Sequence, residues 1–250
     1  MSNLELERLA LRAWPAEEER ELGGWRLRAM RGVTRRANSV WTAYDDGSMA
    51  PERKITEAER FYAERGLDVR FQVSTASAPT DLEPQLAERG YVSEAPVSVQ
   101  STEAVGLLAC LAGVAHGRVE RDVFETWFEV SGTGGRFRGV EQIYRGLLAR
   151  LRGRGLYALA EAGKDPASVV LGVLDGDHCG IFSMLTLPAY RGRGFGTIAL
   201  AALVRAASAR GARTFYLQVE RDNPAAIALY AKLGFEERYG YSYRLRAAPH

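Results

Sequence analysis

The stretch Leu187–Leu203, LPAYRGRGFGTIALAAL, decides how the rest of the chain is read. A proline turn leads into Arg191-Gly192-Arg193-Gly194-Phe195-Gly196, and an alanine-rich apolar run follows at helical spacing. Glycines this dense at the head of a helix let a ligand approach the backbone, and the free N–H groups of the first turn attract anions. Three phosphate-binding patterns compete for such a turn. A P-loop requires GxxxxGK and then Ser or Thr, and this segment has no lysine. A dinucleotide fingerprint requires a third glycine three residues after the second, where Thr197 follows Gly194 instead. What remains is a strand, a proline turn and R-x-x-G-x-G opening a helix, whose successive N–H groups converge on a diphosphate.

Outward from this turn the C-terminal half is strongly patterned. Ser168–Leu174 and Cys179–Leu187 read as strands joined by the turn DGDHCG, and the helix after the glycine turn closes at Gly211. Ala212–Val219, ARTFYLQV, is a buried strand. The next helix, NPAAIALYAKLG, has Asn223 at its N-cap position, Pro224 in its first turn and Gly234 at its end. Phe235–Arg246 reads as two short β segments. Upstream, Arg121–Val130 and Val140–Arg152 read as helices separated by the glycine-rich SGTGGRFRG, Ser131–Gly139, and Gly155–Ala162 as a further strand. This order describes an α/β sheet with helices on its faces, complete from about residue 102 to 250.

The first half echoes the second. Ala58–Gln100 and Leu203–Leu245 share a helix ending at glycine, a strand ending FQV or LQV, a helix ending in glycine plus an aromatic, and a last strand. Gly66 to Val73 spans seven positions and Gly211 to Val219 eight, while Val73 to Gly90 spans seventeen and Val219 to Gly234 fifteen. Chance recurrence of two αβαβ stretches is the alternative, and landmarks in register within two residues favour duplication. The first copy has no counterpart of RGRGFG: DDGSMAPERK stands in its place.

Composition narrows the class. The 250 residues carry a formal net charge of +2, with 46% apolar and 26% charged residues, so bulk electrostatics gives no reason to expect nucleic-acid binding. An arginine-rich RGRG held between strand and helix is not a disordered nucleic-acid tract. Lysine occurs only at Lys54, Lys164 and Lys232, a bias that with abundant alanine suggests a bacterial, GC-rich source. Cys110 and Cys179 form no CxxC pattern, so neither a disulfide framework nor a metal site is expected. No signal peptide and no membrane-length apolar run is evident, and a cytoplasmic protein is the expectation.

LTLPAYRGRGFG, the helix after it and NPAAIALYAKLGF together resemble the GNAT superfamily of acetyl-CoA-dependent N-acetyltransferases, closely over Ser168–Arg244 and more loosely over the two upstream helices. The whole chain resembles two-module members, in which a degenerate N-terminal module precedes an active one. The resemblance implies tandem GNAT-like folds, each a mixed, mostly antiparallel sheet flanked by helices: residues 1–101 without a phosphate turn, and 102–250 binding acetyl-CoA between a splayed strand pair. It implies that Arg191, Gly192, Arg193, Gly194, Phe195, Gly196 and Thr197 wrap the CoA pyrophosphate. The main chain of Leu185, Thr186 and Leu187 then holds pantetheine and polarises the acetyl carbonyl. Asn223 is implied as a further cofactor contact, and Tyr230 as the acid beside the sulfur.

The activity so implied is direct attack of an amine on the thioester, with no covalent enzyme intermediate and no metal. Glu220 and His178 are the candidate bases, beside a water relay to a distant carboxylate, and Cys179 reads as a small buried residue. In this superfamily the acceptor is chosen by the first two helices and their loop. Here those are Trp127 and Ser131–Gly139, where Arg136 and Arg138 could attract an acceptor carboxylate. Arg35, Arg36 and Asn38 fall on an expected strand, Thr34–Trp41, where a solvated face is favoured over a cleft. The expected partner is a small-molecule or peptide amine, with no nucleic acid or membrane and a monomeric or homodimeric state. A non-catalytic acyl-CoA-binding or sensor module is the alternative.

Overall fold

The computed structural model describes residues 1–133 and 137–247. It divides into two compact units that are not contiguous in sequence. The first contains Met1–Val99, Glu220–Asn223 and the segment from Arg238 onward; the second contains Gln100–Val219 and Pro224–Glu237.

The first unit opens with α1 (Asn3–Ala13), whose Ser2 and Glu5 form a reciprocal capping box. A hairpin of β1 (Glu18–Leu22) and β2 (Trp25–Ala29) follows, then β3 (Val40–Trp41), α2 (Pro51–Ala63), β4 (Val69–Ser74), α3 (Leu82–Glu88) and the long β5 (Val92–Glu103). The last strand of the chain, β11 (Glu236–Arg246), lies against β4, from Tyr241↔Ser74 to Arg246↔Val69, antiparallel. The sheet order in this unit is therefore β1-β2-β3-β4-β11-β5. Its core is built on Trp25, Phe61, Tyr62, Phe71 and Tyr91, with Trp25 and Tyr91 edge-on to Phe71 at 5.8 and 5.4 Å.

Two segments depart from the sequence expectation. Within Thr34–Trp41 only Val40–Trp41 is strand. Arg31 and Thr34 have φ of 48° and 64°, and the buried Asn38 side chain accepts from the Met30 and Gly32 N–H groups while donating to the Val33 and Thr34 carbonyls. Four bonds from one amide give this backbone a partner set that strand pairing would otherwise supply. Likewise, Phe235–Arg246 holds one strand of eleven residues, Glu236–Arg246, and not two short segments; β4 pairs with its second half, Tyr241–Arg246, and β5 is its other neighbour in the sheet.

The second unit adds α4 (Ala104–Cys110), β6 (Arg118–Glu120), α5 (Glu125–Phe128) running into a π turn (Glu129–Thr133), and α6 (Glu141–Ala149). Next come β7 (Gly155–Ala162), β8 (Asp165–Asp175), β9 (His178–Thr186), α7 (Phe195–Ser208), β10 (Thr214–Glu220) and α8 (Pro224–Lys232). Its strands lie in the order β10-β9-β8-β7-β6. β6 to β9 are antiparallel, and β10 joins β9 in parallel after the α7 crossover. Leu200, Leu203 and Val204 of α7 pack into a core with Leu156, Val170, Ile181 and Phe215. Gly172 admits Leu203: a Cβ there would lie 2.4 Å from Leu203 Cδ1.

Candidate functional site

β9 is irregular where the site forms. Its pairing with β8 runs Val169↔Leu185 and then Leu171↔Phe182, so Ser183 and Met184 face the single residue Val170. This is a bulge, and Ser183 takes φ 47°, a left-handed conformation unfavourable for a residue with a Cβ. On its other edge, β9 is parallel to β10 only from His178↔Thr214 to Ile181↔Leu217. The register ends there, five residues before β9 does. Pairing with β10 thus ends just before the bulge, while β8 keeps hold of the strand to Thr186.

That hold is specific. Ser168 Oγ donates to the Leu185 carbonyl at 3.0 Å and lies 2.9 Å from Thr186 Oγ1, and the Leu187 N–H reaches the Ala167 carbonyl at 2.9 Å. Arg191 Nε donates to the Thr186 carbonyl at 3.2 Å, which ties the turn back to the strand it leaves. Gly192 and Gly194 have φ of 71° and 83°, and Gly194 caps α7. A Cβ at either would meet no heavy atom within 4 Å, so backbone conformation, not crowding within the chain, demands glycine there. Gly196 is different: its Cβ would lie 3.0 Å from Met184 Cε and 3.1 Å from Thr186 Oγ1, so the helix start abuts the strand end. The first α7 hydrogen bond runs from the Ile198 N–H to the Gly194 carbonyl. The N–H groups of Phe195, Gly196 and Thr197 thus belong to the turn that a helix cannot satisfy itself. Arg193 lies over the Tyr190 and Phe195 rings at 5.5 and 5.4 Å.

Tyr230, on α8, is brought to this strand. Its ring packs edge-on against Phe235 at 5.6 Å, and its hydroxyl donates to Met184 Sδ at 3.3 Å. Only 7% of the residue is exposed, and burial pushes the phenol up to about 12. Met184, Thr186, Gly196 and Tyr230 therefore form one cluster, of which the sequence reading missed Met184.

The other candidates are placed elsewhere. His178 begins β9, with Nδ1 2.9 Å from Asp177 Oδ1, and the strand's rise sets it roughly 25 Å from Thr186. The structure does not bring it to the turn. Glu220 ends β10 and belongs to the first unit, where its carboxylate meets Arg35 Nη1 at 3.2 Å. Arg35 also faces Glu94 at 3.6 Å. Asn223 directly precedes α8, and its N–H donates to the Glu220 carbonyl at 3.1 Å. Cys179 is fully buried, and burial raises its thiol to about 12, which suits packing and not nucleophilic attack.

The acceptor-side candidates also change character. Trp127 is fully buried, edge-on to Tyr157 at 5.0 Å, and its indole donates to the Val170 carbonyl at 3.2 Å, opposite the bulge. It supports the site's backbone and presents no side chain to a cleft. Of Ser131–Gly139, Gly134–Arg136 lie outside the described residues, so the reading for Arg136 has no structural counterpart. Phe137 stacks on Tyr144 at 3.7 Å, and the Tyr144 hydroxyl joins Ser131 and Ser183, each at 2.9 Å. That hydroxyl cluster was not read from sequence; the signal was Ser183, a polar residue interrupting the apolar run CGIFSML.

Among the described residues, no group of three or more His, Cys, Asp or Glu could hold a metal ion, and no helix is long and apolar enough to cross a membrane. The profile of the Acetyltransferase (GNAT) family matches residues 119–235. The chain is 30% identical to the uncharacterized N-acetyltransferase YobR of Bacillus subtilis (strain 168), over 96% of this chain and 97% of that protein. Its fold is similar to that of a GCN5-related N-acetyltransferase from Kribbella flavida, with a TM-score of 0.73 at 15% identity over 100% of this chain and 98% of that one. A tandem GNAT protein from the clavulanic acid biosynthesis pathway is also similar, with a TM-score of 0.57 at 17% identity, covering 77% and 70% of the two chains.

Proposed function

The chain belongs to the GNAT acetyltransferase family, and we propose that its second unit binds acetyl-CoA at the α7 turn and the end of β9 and transfers the acetyl group to an amine by direct attack. The observation that carries the reading is the convergence of Tyr230 on the opened end of β9, beside a glycine turn whose N–H groups lack helical partners. The residues fit the cofactor: Gly192 and Gly194 have open space where a side chain would stand, and α7 is long enough to offer its dipole to a diphosphate. Bound acetyl-CoA supplies the activated acetyl carbon and a thiolate leaving group.

The chain's own groups do the rest. The N–H groups of Phe195, Gly196 and Thr197 hold phosphate oxygens, with Arg191 and Arg193 adding charge at the rim. The main chain of Leu185 to Leu187, pinned by Ser168 and Ala167, orients the carbonyl for attack. Tyr230 holds its proton at Oη. With the phenol near 12 and an ordinary thiol near about 8.5, it stabilises developing sulfur charge as a hydrogen-bond donor and does not surrender the proton outright. His178, at the far end of β9, is too distant to take the amine's proton, which leaves through a water relay to a carboxylate. The first unit serves as a module without its own phosphate turn, so one acetyl-CoA binds per chain.

The test is acetyl-CoA titration by calorimetry, followed by thiol release with a panel of amines. Tyr230→Phe is expected to lower the rate about 100-fold while acetyl-CoA affinity changes less than about threefold. Binding without thiol release from any amine would leave an acyl-CoA-binding module instead, and absence of binding would end the proposal.

A further inference from the structure

The bulge on β9 is held from two sides by residues that carry no charge and lie off the turn. Trp127 donates to the Val170 carbonyl opposite it, and Tyr144 donates from α6 to Ser183 Oγ within it. Tyr144 is completely buried, and its ring is fixed by Phe137 stacked at 3.7 Å and 8° on one face. Ser131, also buried, completes the hydroxyl string at 2.9 Å. The left-handed φ of 47° at Ser183 strains a residue that carries a Cβ, and the buried hydrogen bond from Tyr144 offsets that strain.

We propose that Tyr144 is a positioning residue: its hydroxyl pins the Ser183 bulge, which opens β9 from β10, and Phe137 holds the Tyr144 ring in place for that grip. The inference rests on the function proposed above. It makes donor binding depend on a chain of contacts, Phe137 to Tyr144 to Ser183, that ends one residue before Met184, the partner of Tyr230.

The proposal separates backbone shape from hydroxyl chemistry at Ser183. Glycine occupies the left-handed region without penalty, so Ser183→Gly keeps the bulge after losing the hydroxyl, whereas Ser183→Ala loses the anchor and keeps the strain. With acetyl-CoA as the titrant, Tyr144→Phe and Ser183→Ala are expected to bind about five- to tenfold more weakly than wild type. Ser183→Gly should stay within about twofold, and the double variant Tyr144→Phe/Ser183→Gly should regain that affinity. Phe137→Ala should weaken binding in the same direction. Equal loss in Ser183→Gly and Ser183→Ala overturns the positioning role in favour of the hydroxyl itself, and wild-type affinity in Tyr144→Phe overturns it outright. The Ser183 pair decides the matter if Tyr144→Phe does not fold. Hydrogen exchange at the Ser183–Thr186 amides is read without any ligand: exchange no faster in folded Tyr144→Phe than in wild type also overturns the grip, while failure of wild type to bind acetyl-CoA overturns only the function on which it rests.

Discussion

At the scale of single residues, two buried acids are moved in the same direction by the same cause and have opposite consequences for experiment. Burial takes the Tyr230 phenol to about 12, so it stays protonated across any practical assay range. The rate should therefore show no alkaline loss from this residue between pH 7 and 10; a limb in that window that disappears in Tyr230→Phe would contradict the donor role. Glu7, in the first unit, is 1% exposed, and burial raises its carboxyl from 4.5 to about 7 despite hydrogen bonds from Trp41 Nε1 at 3.0 Å and Gln72 Nε2 at 2.7 Å. The folded chain thus keeps a proton that the unfolded chain has already released. Its contribution to stability is fully present below about 4.5 and is lost as pH rises through about 7, on the order of 3 kcal/mol in all. Glu7→Gln, a neutral mimic of the protonated form, should melt close to wild type at pH 5 and several degrees higher at pH 8. A difference in Tm that does not change between those two pH values would show that Glu7 does not titrate in this window.

At the scale of elements, the turn before α7 separates two uses of glycine that the sequence presents as one motif. Gly194→Ala places a methyl group in open space but strains a φ of 83°, so it should weaken acetyl-CoA binding about fivefold with a small change in Tm. Gly196→Val drives carbon into Met184 and into a Thr186 hydroxyl held by Ser168, so binding and Tm should fall together. Calorimetry and thermal melts of the two variants check this; equal Tm losses would show that the turn is shaped by packing throughout. The elements themselves were legible wherever local chemistry marks their ends: α7 between Gly194 and Gly211, and α8 between Asn223 and Gly234, follow from caps and periodicity. The bulge was not legible, because one extra residue in a strand is decided by what lies across the sheet, here Trp127 and Tyr144 from α5 and α6. For the same reason Thr34–Trp41 reads as a strand in isolation. Only the folded loop shows Asn38 supplying bonds that a strand would otherwise need.

At the scale of the whole molecule, the echo between the two halves gives the order of elements but not the strands each one pairs with. Helix, strand, helix and strand recur as α2-β4-α3-β5 and α7-β10-α8-β11, yet from Arg238 onward β11 belongs to the first unit. Composition could not reveal this, since a buried strand rich in tyrosine suits either sheet; register against β4 decides it, from Tyr241↔Ser74 to Arg246↔Val69. Tyr239, Tyr241 and Tyr243 are each at most 5% exposed there. A cut after residue 101 therefore parts β4 from the strand registered against it. A fragment of residues 1–101 leaves β4 without β11 along six registered positions, with only its short pairing to β3. It should fail to give a cooperative melt, and its amides in β4 should exchange without protection. Removal of residues 238–250 from the full chain should have the same effect on β4 while protection of β7 and β8 persists, because those strands pair within the second unit. Supplying a peptide of residues 236–247 to the 1–101 fragment should restore part of the β4 protection. A cooperative melt of 1–101 alone would show instead that the first unit does not need the end of the chain.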